Sequence, residues 1–135
     1  MPCPYFEPRA NTLSRTLPNA RLPLIGEYGG LCHAGEQPVA APADLVFRCC
    51  NQGHARENCG HFPPNEIRVT LRYSITRKTP AMLELLCIEE VEFAPVKWYP
   101  LRYFIETGVV EPESAGVRVR AQAAAFCRSY IAQLH

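Results

Sequence analysis

Nowhere in this sequence do two cysteines stand with only two to four residues between them, although seven of the 135 residues are cysteine. The C-x2–4-C knuckle of structural zinc sites is therefore missing, and so is the C-x2-C-x2-C run of small ferredoxins. Catalytic signatures are missing too: there is no Rossmann glycine fingerprint, P-loop, G-x-S-x-G or H-E-x-x-H. No run of 18 apolar residues occurs, so no transmembrane helix is expected. The opening "MPCPYFEPRANTL" has no basic segment followed by an apolar one, so a secretory signal is not expected either. A net charge of +1 gives no electrostatic case for nucleic acid or an anionic membrane as partner. Internal repeats, low-complexity tracts and Asn-Gly or Asp-Gly hairpin turns are also absent.

What is present fits a single globular domain, residues 1–135. At 47% apolar and 20% charged, the chain can bury a core without help from a metal or a disulfide. The expected compartment is the cytoplasm, where thiols stay reduced. Clustered cysteines there point to metal or redox chemistry before disulfides.

The two halves of the chain differ. Residues 1–64 hold five of the seven cysteines, three of the four histidines, nine of the thirteen prolines and six of the eight glycines. This half reads as a cysteine-rich, loop-dominated, metal-binding segment with no regular structure beyond short helices. Residues 65–135 read as a β-meander plus a C-terminal helix. In "EIRVTLRYSITRK", Ile67, Val69, Leu71, Tyr73 and Ile75 alternate with Arg68, Thr70, Arg72, Ser74 and Thr76, which predicts a half-buried strand. "AMLELLCIEEVEF" and "VKWYPLRYFIET" predict two more, with Pro100 marking an edge or a bulge. From about Ser114, a candidate cap, to Leu134 the apolar positions Val119, Ala123, Phe126, Tyr130 and Leu134 follow helical spacing. The expected fold class is α+β: an antiparallel sheet of three strands, or four if Leu45–Cys49 joins, covered on one face by the helix.

Cys87 lies mid-strand between Leu86 and Ile88, and Cys127 lies on the helix beside Phe126. Both read as small core residues. The other five stand beside turn or loop signals. Cys3 is between Pro2 and Pro4, Cys32 follows Gly29-Gly30, Cys49 and Cys50 precede Asn51-Gln52-Gly53, and Cys59 precedes Gly60. Proline and glycine hold backbone in shapes that let thiolates converge. Four of these five would complete a four-cysteine site. Adjacent cysteines seldom both ligate one centre, so Cys50, which abuts the turn, is the expected ligand and Cys49 its substitute.

The metal follows from the spacing. Gaps of 28, 17 and 8 residues between Cys3, Cys32, Cys50 and Cys59 suit a [4Fe–4S] cluster, which draws ligands from distant loops; zinc is the alternative. His33, His54 and His61 each lie near a candidate cysteine and are alternative ligands.

The same residues resemble a group of small bacterial proteins that share "CPYFEP", a "CHA" step and a "CN-x-G-x-A-R-x2-C-x2-F-P" block. Here these are Cys3 to Pro8, Cys32 to Ala34, and Cys50 to Pro63, within the first 64 residues. The resemblance implies Cys3, Cys32, Cys50 and Cys59 as the set, and implies no activity.

The expected function is therefore that of a small iron–sulfur protein in electron transfer, redox sensing or an accessory role, with a protein redox partner and no substrate chemistry of its own. Two other functions are open. One is a zinc-stabilised interaction module, with Arg68, Arg72, Arg77 and Lys78 touching an acidic partner. The other is a cysteine enzyme built on a Cys32–His33 or Cys59–His61 pair, although nucleophile and base are rarely sequence neighbours. A solvated strand face, paired with Glu89, Glu90 and Glu92 across the hairpin, explains the basic residues more simply. Strand propensity does the same for Trp98, Tyr99, Tyr103 and Phe104, expected in the core.

Overall fold

A computed structural model describes residues 3–11, 24, 28–42, 45–51, 59, 69–92 and 94–133. It is an α+β fold with two antiparallel sheets and a long C-terminal helix. The larger sheet has the order β4-β5-β6-β7, formed by Val69–Lys78, Met82–Val91, Ala94–Phe104 and Val110–Glu111. Alternation dictates its faces. Leu71 and Tyr73 are buried while Arg72, Ser74 and Thr76 are exposed. Leu83, Leu85 and Cys87 of β5 and Leu101 and Tyr103 of β6 continue the buried face. Arg72 and Glu90 meet across β4 and β5, Nε to Oε1 at 3.6 Å, as the charge pattern of the hairpin implied. The fourth strand is β7 rather than Leu45–Cys49. It reaches only Arg102 and Tyr103 of β6, so Pro100 lies where β6 has β5 as its one described partner.

The helix, α1, spans Val117–Gln133. It starts after Gly116, whose φ of 89° is open to glycine, and Arg120 N–H donates to the Gly116 carbonyl. Ser114 is not the cap: it lies in the preceding 3-10 turn, Glu113–Ala115. The buried stripe differs from the expected one as well. Gln122, Ala123, Ala124, Ala125, Cys127 and Ser129 are buried, whereas Val119, Phe126 and Tyr130 are only partly so; Leu134 lies outside the described residues. Small side chains let α1 approach two sheets at once, which a stripe of bulky residues would prevent. Among the described residues no helix is long and apolar enough to cross a membrane.

The N-terminal half corrects the sequence reading most. It contains a second sheet, β1-β2-β3, from Phe6–Asn11, Tyr28–Cys32 and Val39–Ala40. Gly29 and Gly30, expected to form a bend, lie in the middle of β2. Gly30 is opposite Pro8, where the ladder shifts register. Leu45–Cys49, the candidate fourth strand, belongs instead to a π-helical turn, Val46–Cys50. One core runs through both halves: Cys3, Phe6, Tyr28, Cys49 and Cys50 pack in the same buried cluster as Leu71, Leu83, Leu101 and Cys127. Trp98 is outside it. It is 65% exposed, while Tyr103 from the same strand is buried.

Candidate functional site

Three separate elements deliver the cysteines. Cys3 lies just ahead of β1, Cys32 ends β2, and Cys49 and Cys50 end the π turn. The β1–β2 ladder pairs Phe6 with Cys32, and the His33 N–H donates to the Tyr5 carbonyl at 2.8 Å, which brings the Cys3 segment alongside Cys32. The π turn is brought in by a backbone bond from the Cys3 N–H to the Cys50 carbonyl, 3.0 Å long. Asn51 then ties the turn to β2. Its side-chain Nδ2 donates to the carbonyls of Tyr28 and Val46, and its Oδ1 accepts from the Tyr28 N–H, at 2.8, 2.7 and 2.9 Å. The amide group thus pairs with Tyr28 as a neighbouring strand would. Tyr28 in turn reaches α1, its hydroxyl donating to the Ala125 carbonyl and lying 2.5 Å from Ser129 Oγ.

Cys49 is fully buried, Cys3 and Cys50 are each 6% exposed, and Cys32 and Cys59 are half-buried. None of the seven cysteines is in a disulfide. The five N-terminal thiols act on one another electrostatically. Burial pushes Cys3 up from 9.0 to about 12, a backbone hydrogen bond from Tyr5 pulls the other way, and Cys32, Cys59 and Cys49 add to the rise. Burial likewise pushes Cys50 up to about 12, with Cys3, Cys32, Cys59 and Cys49 adding to it. Cys32, Cys49 and Cys59 thus lie within electrostatic range of both Cys3 and Cys50. Among the described residues, no three His, Cys, Asp or Glu side chains converge as they would around one metal ion. Tetrahedral thiolates on zinc stand about 3.8 Å apart, from Zn–S bonds of about 2.3 Å.

The other candidates separate from this group. The ring of His33 goes to the buried Glu7 carboxylate, Nε2 to Oε1 at 2.7 Å, and Arg9 Nε holds the other oxygen at 2.6 Å. That partner is 26 residues away in sequence, so nothing local could have shown it. His54 and His61, with Phe62, Pro63 and the Gly53 turn, lie outside the described residues. Cys87 and Cys127 are fully buried. Cys87 lies between Tyr73 and Tyr99 on the neighbouring strands of the larger sheet, and burial pushes its pKa up while the two tyrosine side chains act the other way.

Cys3 and Cys50 are therefore protonated at neutral pH in the metal-free chain, which carries a pH prediction. Unfolded thiols ionise above about pH 9, whereas folded Cys3 and Cys50 keep their protons until about pH 12. Across that window the folded state binds more protons, so stability falls as pH rises. The urea midpoint of metal-free protein is expected to hold between about pH 6 and 8 and to drop above 9. The drop should be shallower in a Cys3→Ala/Cys50→Ala variant. An equal slope in both proteins would contradict the burial argument. No family model matches the chain, and neither a curated protein nor a solved structure matches it.

Proposed function

We propose that this chain is a small iron–sulfur protein holding a [4Fe–4S] cluster on the thiolates of Cys3, Cys32, Cys59 and one of the Cys49–Cys50 pair, Cys50 being the first choice. The observation that carries the reading is a set of five buried or half-buried thiols, free of any disulfide, with Cys3 and Cys50 joined by a backbone hydrogen bond and Cys32 paired with Phe6 on the adjoining strand. Burying so many ionisable thiols together serves no packing purpose that alanine or valine would not serve. A cation that takes them as thiolates removes both the repulsion and the desolvation cost, with release of protons. The wide sequence gaps between these cysteines, with no zinc knuckle among them, favour a multi-iron group over zinc.

Such a cluster would supply one-electron redox chemistry, tuned by hydrogen bonds to its sulfurs and by exclusion of water. The chain's own contribution is a buried site and a backbone hydrogen bond from Tyr5 at Cys3. Electron transfer to a protein partner, redox sensing or an accessory role fits this, in the cytoplasm, where the thiols stay reduced. A cysteine enzyme is the less favoured reading, because nucleophile and base are rarely sequence neighbours as Cys32–His33 and Cys59–His61 are.

The test is the visible spectrum and the iron, sulfide and zinc content of anaerobically purified protein, repeated for single Cys→Ser variants. About four irons per chain, lost in Cys3→Ser, Cys32→Ser and Cys59→Ser, is the expected result. Cys49→Ser and Cys50→Ser are expected to differ, with the larger loss in Cys50→Ser. Stoichiometric zinc without iron would replace the reading with the zinc module. Full iron in all five variants would end it.

A further inference from the structure

The cysteine site has a polar clasp on a helix that carries none of its five thiols. Gln122 is fully buried on α1, between Ala123, Ala124 and Ala125 on one side and the half-buried Ala121 on the other. Its Nε2 donates to two carbonyls of the N-terminal segment, those of Cys3 and Phe6, each at 2.8 Å. Its Oε1 accepts from the Tyr73 hydroxyl at 3.0 Å, which braces the amide against the larger sheet. One turn earlier on the same helix face, Arg118 Nη1 donates to the Pro4 carbonyl at 3.3 Å, and its guanidinium lies 5.3 Å above the Tyr5 ring. The Cys3 backbone is fully committed as a result. Its N–H goes to Cys50, and its carbonyl accepts from Gln122 and from the Phe6 N–H.

A buried amide at this position is costly unless every donor and acceptor is used. Here its donors are used on Cys3, which lies ahead of any strand, and on Phe6, the first residue of β1, so the amide ties the free end of the segment to the start of the ladder. Packing alone would be satisfied by leucine or methionine. We propose that Gln122 is a positioning residue of the cysteine site: it sets where the Cys3 thiol stands relative to Cys32, Cys49, Cys50 and Cys59, with Tyr73 as its brace. The proposal deepens the iron–sulfur reading and rests on it for its consequence, but the placement of Cys3 can be measured without metal.

The experiment has two arms. In metal-free full-length protein, the rate at which iodoacetamide labels Cys3 is followed by peptide mass spectrometry, with Cys127 on the same helix reporting loss of the fold. Gln122→Met is expected to raise Cys3 labelling at least about tenfold while Cys127 stays protected, because a lost buried hydrogen bond shifts local opening by roughly that factor. Tyr73→Phe keeps both donors of Gln122 and its ring packing against Phe126, and should give a smaller rise. If Gln122→Met exposes Cys127 as well, Tyr73→Phe decides. Cys3 labelling equal to wild type in every variant that protects Cys127 overturns the proposal. In the second arm the proteins are reconstituted with ferrous iron and sulfide, and the Gln122→Met protein should show a shifted midpoint potential or altered electron paramagnetic resonance. If wild type takes up no iron while the labelling responds, the iron–sulfur reading falls and the clasp stands. If iron is bound and the labelling does not respond, the clasp falls and the iron–sulfur reading stands.

Discussion

Gly30→Ala is expected to lower stability by about 3 kcal/mol or more, a fall in melting temperature on the order of 10 °C for a chain of this size. The cause is a close backbone approach. A Cβ at position 30 would sit on the carbonyl oxygen of Glu7 and only 2.9 Å from the Glu7 carbonyl carbon and the Pro8 Cα. All three are main-chain atoms, so no rotamer change relieves the clash; β1 itself must move. It carries Phe6, which is paired to Cys32, so the movement reaches the site. Iron content after anaerobic purification should therefore fall along with the melting temperature. Gly35→Ala is the control, because its nearest neighbour would be the Gln37 carbonyl oxygen at 4.0 Å; it should stay within about 0.5 kcal/mol of wild type. Calorimetry on both variants checks this, and equal melting temperatures would contradict the geometry.

Asn51→Leu should have an effect of similar size. The leucine fills the volume but leaves the N–H and carbonyl of buried Tyr28 without their partner. The Val46 carbonyl keeps the Asn51 backbone N–H at 3.0 Å, so it is spared. Two orphaned buried groups cost about 2 to 5 kcal/mol. Asn51→Asp should fare no better, since it keeps the acceptor for Tyr28 N–H, loses both donors and adds a buried charge. Urea unfolding gives the magnitude. A midpoint within error of wild type for both variants would show that the turn is held by something else.

The parts of this fold that were legible are those where side chains report the backbone directly. The alternation from Leu71 to Thr76 reports a strand that faces the core on one side, and the helical spacing from Val119 to Tyr130 reports the helix, though not which of its residues are most buried. The N-terminal sheet was not legible, because prolines and glycines break the alternation of "FEPRAN" and "YGGLC". Its strands are identified by their pairing, not by a pattern of their own. The exposure of Trp98 escaped for a related reason: strand propensity says that an aromatic suits a pleated surface, not which face of the sheet another element covers.

The cysteines divide along the same line. Local neighbours predicted core positions for Cys87 and Cys127, which are fully buried, but gave no sign that Cys3, Cys49 and Cys50 would be buried in the same core. Local chemistry also shaped the expectation for a metal, because zinc knuckles need spacings this chain does not have. Which residues hold the site together was decided only in three dimensions. Asn51 is sequence-marked as a turn residue but acts as a surrogate strand for Tyr28, 23 residues earlier. Gln122 is one polar residue among alanines until the fold carries it to the Cys3 carbonyl, 119 positions away. His33 pairs with Glu7, 26 residues earlier. Hydrogen bonds between distant residues leave no periodic trace in sequence, because each depends on where two elements pack and not on the spacing within either.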